Sequence, residues 1–203
     1  MQEYSITSTL SRVLYREFRV LPSFVSLQII PLPIDGVRVE LQPRIGSADG
    51  AVLHMLPGGT SNPEGLDGKI LDVYAFTTRG RGNVRGGHYH PVLDELFFTF
   101  TGSALWVLSD VRAGSPTHGV TTGVIVGDVA PPETHGVPTY VLADGPLARL
   151  RVPHGVYHAL VPLTDERVTT VALGSTPYDA NDYRYPTMDE VTGARELLAR
   201  FGI

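Results

Sequence analysis

Two histidines one residue apart, His88 and His90, are followed by a carboxylate at Glu95, and a further histidine closes the segment Pro153-His154-Gly155-Val156-Tyr157-His158. On a β-strand, side chains two residues apart share a face, so His88 and His90 present their imidazoles side by side. A turn over Pro91 to Asp94 brings Glu95 back at the head of the next strand, and the turn at Pro153 to Gly155 feeds a strand that carries His158. Three imidazole nitrogens and one carboxylate oxygen suit a divalent transition metal (zinc, iron, nickel or manganese) and leave positions open for water or substrate. Without a metal the same histidines form an acid–base pair. His54, His118 and His135 read as ordinary surface or core histidines, and His154, in the turn, as a rim residue.

Composition supports a hard-ligand site. The chain has 203 residues and no cysteine, which excludes disulfides, thiolate nucleophiles and Cys-based metal sites. Its net charge is −5, and its longest basic cluster is Arg79, Arg81 and Arg85 in a Gly-rich loop, so nucleic acid is not an expected partner. Gly80-Arg81-Gly82 lacks the third glycine and the following helix of a dinucleotide fingerprint, and reads as a turn. No stretch reaches the roughly 18 apolar residues of a membrane span. The N-terminus, broken by Glu3, Arg12, Arg16 and Arg19, does not read as a signal peptide, so the expected location is the cytoplasm.

The elements that must position the site follow from periodicity and turn signals. With 22 glycines and 16 prolines, short strands are expected at 70–77, 95–101, 104–112, 123–126, 140–142, 148–152, 157–161 and 168–173. This spacing predicts an all-β sandwich or barrel. One domain is expected over 1–203: an N-terminal arm with outer strands (1–69), a barrel core (70–185) and a C-terminal helix (186–203). In the arm, Leu10, Val13, Leu14 and Phe18 predict a short helix, 25–30 and 37–42 predict strands, and 46–68 reads as a loop. Thr187 to Glu190 has the form of a capping box opening the last helix, with Val191, Ala194, Leu197 and Leu198 on one face.

Gly82 to Gly102 matches the first motif of the cupins, Gly-x5-His-x-His-x4-Glu-x6-Gly, at every position, and Pro153 to His158 matches the Pro-x-Gly-x2-His core of their second motif. The Asn that usually follows is replaced by Pro162. The resemblance implies a double-stranded β-helix, the cupin jelly-roll barrel, with metal at its mouth. Arg85-Gly86-Gly87-His88-Tyr89 and Asp110-Val111-Arg112 through Ser115-Pro116-Thr117 resemble segments of the dTDP-4-dehydrorhamnose 3,5-epimerases. Tyr178-Asp179 and Asp182-Tyr183-Arg184 are similar to the closing segment of the sugar-nucleotide 3,4-ketoisomerases. Against the epimerases, His90 and Glu95 stand where Gln and Lys are usual, and Pro177 where their acidic tyrosine falls. No counterpart of the aspartate behind their catalytic histidine is visible. The departures favour a metal-binding relative on that scaffold.

These resemblances imply an epimerase or isomerase of a nucleotide-linked keto sugar that moves a proton next to a carbonyl. The expected proton carriers are His88, Tyr89, Tyr157 and Tyr178, with His154 a further candidate; the expected substrate contacts are Arg85, Arg112 and His154. For Arg112 an ion pair with Asp110 is the competing role. Two other classes share the ligand set: a cupin dioxygenase using non-haem iron, nickel or manganese, and a non-enzymatic sugar- or metal-binding cupin. Exposed sheet edges lead us to expect a homodimer.

Overall fold

The computed structural model describes residues 27–47, 50–53, 55, 66, 70–143 and 145–203. Six strands form one sheet in the order β1 (Gln28–Pro31), β2 (Arg38–Gln42), β11 (Leu147–Val152), β7 (Glu95–Thr101), β13 (Val168–Gly174) and β5 (Asp72–Thr78). Five form a second: β10 (Thr139–Val141), β9 (Thr121–Gly127), β8 (Ser103–Asp110), β12 (Val156–Pro162) and β6 (Arg85–His88). Pairing is antiparallel apart from the β9–β10 pair. The two sheets close over a core that includes Val39, Phe97, Trp106, Leu108, Leu150 and Leu160. This is the cupin jelly roll.

Alternation along the strands decides what faces the site. β8 is buried at all eight positions because both its faces are covered. Trp106 and Leu108 point between the sheets, whereas Leu105 and Val107 pack outside, in a second cluster with Leu197, Leu198 and Phe201 of the C-terminal segment. The same period places Val156 and Leu160 of β12 inside and Tyr157, Ala159 and Val161 outside.

Residues 38–42, expected among the arm and outer strands, form β2, which pairs with β11 towards one side of the six-stranded sheet and sends Val39 into the core. Two expectations change. Within the expected loop at 46–68, β3 (Arg44–Ser47) and β4 (Gly50–Leu53) pair as a hairpin that begins just ahead of it. The last helix, α1 (Ala194–Ala199), is six residues long. Only half of the capping box forms, Glu190 Oε2 accepting from the Thr187 N–H (2.6 Å) and hydroxyl (2.9 Å) while the Glu190 N–H donates to the Thr187 carbonyl (3.0 Å), and these contacts close a separate turn. Gly193, at φ 75°, then redirects the chain before the helix starts. The helix expected around Leu10 to Phe18 and the position of His54 lie outside the described residues.

Candidate active site

His88 ends β6 directly opposite His158 on β12. Gly86 has φ +84°, and a Cβ there would stand 3.0 Å from the His158 carbonyl oxygen, so glycine is what lets β6 run this close. A bulge between His158 and Ala159 marks the same point. Glu95 opens β7 in the facing sheet, between Val152 and Gly174. The ligand atoms of His88, His90 and His158 lie within 4.8 Å of one another. Glu95 Oε2 is 3.2 Å from His158 Nε2 and 3.5 Å from His90 Nε2.

Hydrogen bonding fixes which nitrogens face inward. A carbonyl oxygen only accepts, so His90 Nδ1, 2.7 Å from the Asp182 carbonyl, and His158 Nδ1, 3.1 Å from that of Val156, must carry the protons. Each Nε2 therefore keeps its lone pair. Burial lowers all three histidine pKa values, with the neighbouring imidazoles adding to the effect at His88 and His158; His88 falls to about 4. The rings are neutral at neutral pH. Burial pushes the Glu95 carboxyl up to about 8, partly offset by the Tyr74 hydroxyl, which donates to Oε1 at 2.5 Å. His90 Nε2 and Glu95 Oε2 are buried and have no hydrogen-bond partner among the described residues. Inward lone pairs, an unsatisfied carboxylate oxygen and backbone carbonyls behind the rings are the donor set that a divalent transition metal requires, and the residues fit that group.

His88 and His158 border a chamber of about 450 Å³ whose lining includes Tyr74, Phe76, Arg85, Trp106, Tyr183 and Tyr185. The Tyr183 ring is 4.4 Å from that of His90 and 5.0 Å from that of His88, and Tyr185 stacks on Tyr183 at 5.9 Å. Asp182 ties this wall to the histidine turn, its carboxylate accepting the N–H groups of Val92 and Leu93, each at 2.9 Å.

The structure brings together His88, His90, Glu95 and His158, with Arg85 exposed on the chamber lining. Five other expected residues stand elsewhere. Tyr89, between two inward histidines, points out of the barrel and packs against the outer cluster. Tyr157 belongs to that cluster, its hydroxyl 3.7 Å from Met188 Sδ. Tyr178 is 70% exposed and lines a separate groove with Pro91 and Val92. Arg112 is consumed by Asp110, through Nε at 2.9 Å and Nη2 at 2.7 Å, and by the Asp35 carbonyl. His154 faces solvent, its Nδ1 held 2.9 Å from Asp94 Oδ1. In their place the fold supplies Tyr74, Tyr183 and Tyr185. The spacing rule that identified the histidines also applied to Tyr183 and Tyr185, two residues apart, and to Tyr74 and Phe76.

No family model matches the chain. It is 30% identical over 115 residues to the spore coat polysaccharide biosynthesis protein SpsL of Bacillus subtilis, a match covering 55% of this chain and 66% of that protein, just under two thirds of its length. Solved structures with the same fold include NovW, a 4-keto-6-deoxy sugar epimerase of Streptomyces spheroides (TM-score 0.64, 20% identity, 86% of this chain and 81% of that one). Another is the dTDP-6-deoxy-D-glucose-3,5-epimerase RmlC of Legionella pneumophila in complex with dTDP-4-keto-L-rhamnose (0.62, 19%, 78% and 77%). A third is ChmJ, a 3'-monoepimerase of Streptomyces bikiniensis in complex with dTDP-quinovose (0.62, 22%, 79% and 74%). The chain has the cupin fold of these sugar epimerases. No helix among the described residues is long and apolar enough to cross a membrane.

Proposed function

We propose that this chain is an epimerase or isomerase of a nucleotide-linked keto sugar, that His88, His90, Glu95 and His158 hold a divalent transition metal, and that it works as a homodimer in the cytoplasm. The observation that carries the reading is the convergence of unprotonated imidazole nitrogens and an unsatisfied Glu95 oxygen beside a chamber that also holds Arg85. The fold shared with sugar epimerases supplies the reaction class.

A metal bound there supplies Lewis-acid polarisation of a carbonyl oxygen, which acidifies the neighbouring C–H bond. The protein's own groups do the rest. Arg85 offers a guanidinium fork to a phosphate. Tyr183, whose pKa burial and the Glu95 charge raise to about 12, remains protonated beside His88 and His90 and offers a hydrogen bond to a substrate oxygen. Phe76 and Trp106 give the chamber an apolar wall against which a sugar ring can pack.

The test is to incubate the metal-loaded protein with a dTDP-4-keto-6-deoxy sugar in deuterium oxide, without oxygen, and follow deuterium entering carbon next to the carbonyl. We expect exchange that disappears in His88→Ala. Turnover only with oxygen uptake would replace this reading with the dioxygenase one. Sedimentation over a falling concentration series tests the dimer, which a persistent monomer would refute.

A further inference from the structure

Among the described residues that line the chamber, Tyr74 is the one whose polar atom is spent on a proposed metal ligand. It projects from the edge strand β5, its ring packed against the core and 6.3 Å from that of Phe76. Its hydroxyl donates to Glu95 Oε1 at 2.5 Å, while Oε2 of the same carboxylate faces His158 Nε2 at 3.2 Å and His90 Nε2 at 3.5 Å. The two oxygens of Glu95 are thereby assigned different partners. A carboxylate left to itself binds a cation through one oxygen or through both. Offering both oxygens to one cation would have to turn the carboxylate against the Tyr74 hydrogen bond.

We propose that Tyr74 is a positioning residue that holds Glu95 to a single metal-facing oxygen, reserving two neighbouring coordination positions for a substrate that chelates through a carbonyl and an oxygen on the adjacent carbon. The proposal rests on the metal-site reading above. Three imidazole nitrogens and one oxygen are four donors, so a six-coordinate first-row ion retains two positions, whereas a two-oxygen Glu95 would leave one. Two positions select an α-hydroxycarbonyl over an isolated carbonyl. This is a criterion for substrate class set by one phenol.

The experiment is a Co²⁺ titration of the full chain, stripped of metal, followed by visible absorption, with acetohydroxamate then added as a two-oxygen probe. Wild type, Tyr74→Phe and Glu95→Gln are compared, with circular dichroism confirming that each is folded. Wild type is expected to take up one Co²⁺ and to change its spectrum on adding acetohydroxamate. Tyr74→Phe, which loses only the hydroxyl, is expected to show an altered Co²⁺ spectrum before the probe is added and to bind the probe about 10-fold to 100-fold more weakly, the range for outer-shell partners. An unchanged spectrum with unchanged probe affinity in Tyr74→Phe overturns the role of Tyr74. A wild type that takes up no more Co²⁺ than Glu95→Gln overturns the metal site itself, a different failure.

Discussion

Glu95 and Asp110 are both carboxylates with 1% of their surface exposed, and the fold treats them in opposite ways. Asp110 accepts from the Arg112 guanidinium at 2.9 and 2.7 Å, from the Arg112 backbone N–H at 3.0 Å, and from the hydroxyls of Ser115 (2.5 Å) and Thr117 (2.6 Å). Burial alone would raise its pKa, but these donors outweigh it and hold the carboxyl below its ordinary range. Among the described residues Glu95 has one donor, Tyr74, and an oxygen with none. Burial wins there, and its pKa rises to about 8. A buried charge whose lone pairs are all satisfied from within the chain is part of the architecture. A buried carboxyl such as Glu95, whose second oxygen meets only imidazole lone pairs, keeps a proton at pH 7 instead, and it is this proton that a cation would have to displace.

Removing each carboxylate should expose the contrast. Asp110→Ala strands Arg112 and the two hydroxyls, and breaking a buried pair costs about 3–5 kcal/mol. Chemical denaturation should register that loss while metal uptake per folded molecule stays at the wild-type level. Glu95→Gln should do the reverse. It removes a charged ligand, so metal affinity should fall by more than the roughly 100-fold at which outer-shell changes end, while the metal-free protein at neutral pH melts no lower than wild type. If the two variants lost similar stability, or if Asp110→Ala also lost its metal, the distinction between the two carboxylates would be wrong.

The clustering of His88, His90, Glu95 and His158 was legible because period two and a turn suffice to bring them together. The same logic applied strictly would have excluded Tyr89 and Tyr157: each is one residue from an inward histidine and so belongs to the opposite face. Arg112 was ambiguous because local sequence pairs it with Asp110 as readily as with a substrate, and the bidentate geometry decides for the pair. Tyr74, Tyr183 and Asp182 were harder to read. They reach the site from an edge strand and from a segment some 90 residues after the histidines, through pairings such as β5 with β13 and Tyr89 with Arg184 that no local pattern encodes. The capping box misled because only half of its contacts form, and without the helix they usually open.

The finest test of the contrast is protonic. In the metal-free protein Glu95 holds its proton up to about pH 8, whereas His88, lowered to about 4, is already neutral at pH 7. A cation that binds all four groups at pH 7 must therefore displace one proton, from Glu95, and none from the histidines. Calorimetric titration in two buffers of different protonation enthalpy should find about one proton released per metal, with affinity rising about tenfold per pH unit towards pH 8 and levelling above it. The stability linkage has matching signs. The Glu95 contribution is fully present below the ordinary value of 4.5 and is lost as pH climbs through about 8, while that of His88 is present above 6.5 and is lost as pH falls towards 4. Asp110, already ionised far below neutrality, contributes to neither slope at pH 7, so the variant lacking it should release the same single proton. Release of no proton at pH 7 would mean that Glu95 is ionised without its metal and is satisfied in the same manner as Asp110.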